Sequence, residues 1–93
     1  MKKICKELRR LGKQSPELLL EKFKAVDLSG LEFIIMKLRY VDGLDFKLIP
    51  EKIKQLYNQA EPYSDSWVFK VHKKALKKTV DALKLADWLR LVV

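Results

Sequence analysis

Apolar residues recur every three or four positions along most of the chain, and no alternating strand pattern extends beyond short runs. Ile4, Cys5, Leu8 and Leu11 mark a basic amphipathic helix over residues 2–12, which Gly12 is placed to end. Ser15-Pro16-Glu17 then reads as a helix start, with Ser15 as N-cap, Pro16 at the first helical position and Glu17 in the positive-dipole turn. That helix carries Leu18, Leu19, Leu20, Phe23 and Val26, and Asp27 and Ser29 offer the next caps. A third helix over about residues 30–41 places Leu31, Ile34, Ile35 and Leu38 on one face, widened by Phe33 and Met36, before Gly43 takes a left-handed turn. Asp45 caps a fourth helix bearing Leu48, Ile49, Ile53 and Leu56. Pro50 means that it either kinks there or begins there.

Asn58–Tyr63 reads as a loop, because the residue before Pro62 is biased away from helix. Ser64 caps a long final helix. On a helical wheel Val68, Val71, Ala75, Ala82 and Ala86 fall within an arc of about 60°, opposite Lys70, Lys73, Lys74, Lys77 and Lys84. His72 falls in the buried arc, as a core or capping residue. Beyond Lys84 the chain is apolar all round, with Leu85, Trp88, Leu89, Leu91, Val92 and Val93 expected to pack back or to form a dimer contact. The pattern predicts an all-α fold: a small bundle of about five helices with a helix-turn-helix and a long C-terminal basic helix.

Composition supports a single folded domain. The chain has 93 residues, is 48% hydrophobic and 34% charged, and holds three Gly and three Pro. A domain of this size buries roughly 60–65% of its unfolded surface, so dimerisation would help it. The formal charge of +8 changes the picture more, because it points to an anionic partner, nucleic acid before a membrane surface. Residues 1–24 carry eight Lys/Arg against three Glu, residues 25–63 five against six acids, and residues 64–93 seven against three. The excess charge sits at the two ends.

Catalytic chemistry is not legible. There is no nucleophile–base pair at readable spacing and no phosphate-cradling glycine loop, so neither an enzyme nor a cofactor is expected. One cysteine, Cys5, and one histidine, His72, do not make a multi-ligand zinc site or an internal disulfide. Charges at Lys6, Glu7, Arg9 and Arg10 break any signal-peptide core, and no run approaches the roughly 18 apolar residues of a membrane span. The expectation is a cytoplasmic protein without a membrane partner.

Leu38-Arg39-Tyr40-Val41-Asp42-Gly43-Leu44, then Ile49 and Ile53, then Ser64 through Lys78 resemble the C-terminal, region-four domain of bacterial sigma factors. The likeness extends to small phage- and prophage-encoded transcriptional regulators that carry this helix-turn-helix alone. It covers about residues 29–80 and implies a DNA-binding regulator that also touches RNA polymerase. Residues 1–28 are then an N-terminal helical extension, residues 29–82 the helix-turn-helix, and residues 83–93 an apolar tail, all within one compact domain. Where the family has a tight turn before its recognition helix, this chain inserts extra residues near Gln55–Pro62.

In helix-turn-helix proteins the turns just after the cap of the recognition helix enter the major groove. Expected DNA-binding residues are therefore Ser64, Ser66, Phe69, Lys70, Lys73, Lys74, Lys77 and Lys78. Lys70 suits guanine N7/O6, Ser66 several base edges, and Phe69 a thymine methyl, unless Phe69 belongs to the core. Trp67 reads as packing. Lys74, Lys77 and Lys78 suit phosphate contacts. The partner is double-stranded DNA, read by a homodimer through the tail. The alternative is a non-enzymatic adaptor whose basic helix binds an acidic protein surface such as RNA polymerase, and a more distant one is a membrane-surface helix formed by the tail.

Overall fold

The computed structural model describes residues 2–83. The apolar tail, with Lys84, Ala86 and Trp88 and the dimer contact expected there, lies outside the described residues. Those described form five α-helices and no strand: α1 (Lys2–Gln14), α2 (Pro16–Ala25), α3 (Gly30–Met36), α4 (Ile49–Tyr57) and α5 (Asp65–Leu83). A π-helical turn over Lys37–Val41 continues α3, and a 3-10 turn over Phe46–Leu48 leads into α4.

Local chemistry explains most of the boundaries. Ser29 and Glu32 form a reciprocal capping box: Glu32 N–H donates to Ser29 Oγ at 3.2 Å, and Ser29 N–H to Glu32 Oε1 at 2.8 Å. Asp45 accepts from Lys47 N–H at 3.1 Å, which starts the 3-10 turn, and Pro50 sits where α4 begins. The helix therefore begins at Ile49-Pro50 and does not run through the proline, and Asp45 caps the 3-10 turn that carries Leu48 and not α4 itself. Gly43 adopts φ +75°, and Asn58 ends α4 at φ 52°. Ser64 Oγ accepts from Trp67 N–H at 3.2 Å, capping α5.

Three expectations need correction. Gly12 does not end α1, which continues to Gln14. Instead Gly12 is buried against the π turn, where a Cβ would overlap the carbonyl oxygen of Tyr40, so glycine allows two backbones to meet. Ser15 precedes Pro16 as expected, but its side chain makes no capping bond. Ala82 is exposed, whereas the buried residues of α5 are Val68, His72, Ala75, Leu76 and Thr79.

The core has two lobes on either side of α3 and its π turn. Ile35 and Leu38 face Ile49, Ile53 and Val68. Met36 and Tyr40 face Leu8, Leu11, Leu19, Phe23, Ala75 and Leu76. The first 28 residues thus supply half of the second lobe and are part of the globule, not an appendage to it. Contacts from Glu32 to Lys78 and from Tyr40 to His72 show α5 running antiparallel to α3 across both lobes.

Candidate nucleic-acid interface

Helix α5 carries its exposed residues on two parallel ridges, each spaced by four. Asp65, Phe69, Lys73 and Lys77 form one, and Ser66, Lys70, Lys74 and the half-buried Lys78 form the other. Phe69, Lys73 and Lys77 of the first ridge line a groove that residues of α1 also border. Among these, Lys6 and Arg9 are exposed. Arg10, by contrast, is paired with Glu7 of its own helix. Residues of α1 and α5 that border one groove therefore bring basic side chains from the two ends of the chain onto one surface.

Phe69 is 46% exposed and stacks on Phe46 with ring centroids 4.5 Å apart. Phe46 also takes the Arg39 guanidinium over its ring at 4.3 Å and meets His72 edge-on at 4.8 Å. Phe69 is thus neither fully core nor free: one side is packed and the other faces solvent. Trp67 stacks on Tyr63 at 4.0 Å, in keeping with its reading as packing.

Beneath this surface, Tyr40 Oη and His72 Nε2 lie 2.6 Å apart. Burial, with the nearby Arg39 charge adding to it, lowers the His72 imidazole to about 4. It is neutral at pH 7, and a single proton bridges Tyr40 Oη and His72 Nε2. Burial, together with the Cys5 thiol, pushes the Tyr40 phenol well above its ordinary value. The pair is a neutral buried strut under α5.

The eight expected site residues do not behave alike. Ser66, Lys70, Lys73, Lys74 and Lys77 are exposed and reach solvent. Ser64 Oγ is engaged in capping α5. Lys78 donates to Glu32 Oε1 at 2.9 Å, although Glu32 is itself buried. Burial raises the Glu32 carboxyl, but bonds from Ser29 and the Lys78 ammonium outweigh this and hold it below the ordinary carboxylate range.

The sequence reading missed Lys6, Arg9, Arg39 and Phe46. The clustering of charge at the two termini was the one signal that pointed towards them. No group of three or more metal-binding side chains occurs among the described residues. No helix among them is long and apolar enough to cross a membrane. Comparison with protein-family models, curated proteins and solved structures gave no match.

Proposed function

We propose that this protein is a double-stranded DNA-binding transcriptional regulator whose recognition helix is α5. The observation that carries the reading is the cationic surface itself: Lys70, Lys73, Lys74 and Lys77 exposed on one helix, continued by Lys6 and Arg9 on the next. The order of α3, the Gly43 turn, α4 and a capped basic α5 supports it, in line with the sigma region-four resemblance. In this reading Ser66 and Lys70, in the first turns after the Ser64 cap, face base edges, and Phe69 offers its open side to a thymine methyl. Lys73, Lys74 and Lys77, with Lys6 and Arg9, neutralise phosphates. Lys78 is secondary, since Glu32 already holds it. RNA polymerase contact and dimerisation through the tail belong to the same proposal.

Fluorescence anisotropy of labelled duplex DNA tests it. Engaging about five phosphates makes affinity fall roughly five-hundredfold for a fourfold rise in salt. The double variant Lys73→Glu/Lys77→Glu should abolish binding at every salt concentration while keeping the helical circular-dichroism spectrum. Absence of binding by the parent protein at low salt would overturn the proposal. It would turn attention to the adaptor reading, which the exposed Phe69 beside the lysines favours and which polymerase pull-down would examine.

A further inference from the structure

The groove between α1 and α5 has a volume of about 730 Å³, within the range of small-molecule sites. Its floor is apolar, made by Cys5, Phe46, Phe69 and Leu76. Its rim is cationic, made by Lys6, Arg9, Arg39, Lys73 and Lys77, and no carboxylate among the described residues lines it. Lys6, Arg9, Lys73 and Lys77 form no ion pair among the described residues. Arg39 donates from Nη1 to the Leu44 carbonyl at 3.0 Å, while its buried Nε meets no acceptor among the described residues.

A ligand that satisfies this groove needs two parts. A bare inorganic anion would meet the rim and leave the aromatic floor wet. A duplex would neutralise the lysines and offer Phe69 a thymine methyl, but no flat body large enough to cover the floor formed with Leu76. Phe69 stacks on Phe46, which the Arg39 guanidinium approaches at 4.3 Å, and leaves its other, planar face open to a ligand.

We propose that the groove binds a small organic anion with a flat apolar body, seated on Phe69 and Leu76, with its acidic group held by Arg9, Lys73 and Lys77. Binding itself does not depend on the DNA reading. Its regulatory consequence does rest on that reading: ligand and DNA both need Lys73 and Lys77, so an occupied groove competes with DNA.

The test uses the full chain and naphthalene-2-sulfonate as probe, followed by calorimetry and amide chemical shifts. Saturable one-to-one binding is expected, with shifts concentrated at residues 5–9, 39–46 and 69–77. The neutral isostere naphthalene-2-sulfonamide and the open-chain octane-1-sulfonate should each bind at least about tenfold more weakly, on the scale of one lost ion pair or one lost stacking face. Phe69→Ala, and separately Lys6→Gln/Arg9→Gln at exposed positions of α1, should weaken the probe at least about fivefold. Should Phe69→Ala fail to fold, the α1 pair still decides the matter.

Equal affinity for sulfate would reduce the groove to a simple anion patch and overturn the proposal. Equal affinity for the sulfonamide, or shifts mapping elsewhere, would do the same. Octane-1-sulfonate binding as tightly as the probe would overturn the flat-body requirement. Probe binding without DNA binding leaves the groove standing and removes the regulator reading; DNA binding without probe binding does the reverse.

Discussion

Burial of a single imidazole gives this protein a definite acid response. His72 has an ordinary value of 6.5 and is lowered to about 4 in the fold, so between these limits the unfolded chain binds a proton that the folded chain does not. The stability due to neutral His72 is complete above pH 6.5 and is lost as pH falls towards 4, at up to about 1.4 kcal/mol per pH unit. Glu32 acts in the same direction but only near and below its ordinary 4.5, where the unfolded chain takes up a proton that the lowered folded carboxyl does not. Urea denaturation at pH 7.5, 6.5 and 5.5 therefore isolates His72. The parent midpoint should fall across the last step, while His72→Gln should be weaker at pH 7.5 but nearly flat. A flat parent profile would mean that His72 takes up a proton without leaving the fold.

At the scale of elements, α3 and α5 are joined through Glu32, which caps α3 and receives Lys78 from α5. This separates two lysines that look equivalent along the helix. Lys78→Ala should lower stability by about 1 kcal/mol, the scale of a partly exposed ion pair, and leave duplex-DNA affinity within about twofold. Lys74→Ala, exposed and without an ion pair among the described residues, should leave the thermal midpoint unchanged and weaken DNA binding at all sequences alike. Thermal melts beside anisotropy check both. If Lys78→Ala lowers DNA affinity more than Lys74→Ala, the assignment of Lys78 to structure is wrong.

The whole molecule depends on its N-terminal helices. Leu8, Leu11, Leu19 and Phe23 are each at most 4% exposed and bury themselves against Met36, Tyr40, Ala75 and Leu76. Four such side chains contribute of the order of 6–12 kcal/mol, comparable to the entire stability of a small domain. Removing residues 1–28, and so keeping only the segment that carries the sigma-like resemblance, should abolish cooperative thermal unfolding and near-ultraviolet circular dichroism. A cooperative melt close to that of the full chain would show those helices to be an appendage.

Most of the fold was already legible along the chain, because its determinants are local. Helical spacing, the Ser29, Asp45 and Ser64 caps, Pro16 and Pro50 at helix starts and the Gly43 turn each depend on neighbours within a few residues. The wet lysines of α5 follow from the same periodicity. What tertiary structure alone decided are meetings between residues far apart in sequence. Gly12 serves a backbone contact with Tyr40 instead of ending a helix, Lys78 is drawn to Glu32, and Ala82 is left in solvent. Above all, Lys6 and Arg9 come to border the groove with Lys73 and Lys77 because the apolar lobe around Met36 and Tyr40 gathers residues of α1 and α5. Charge density is written in the sequence, but where two charged ends converge is set by the hydrophobic faces that bury first.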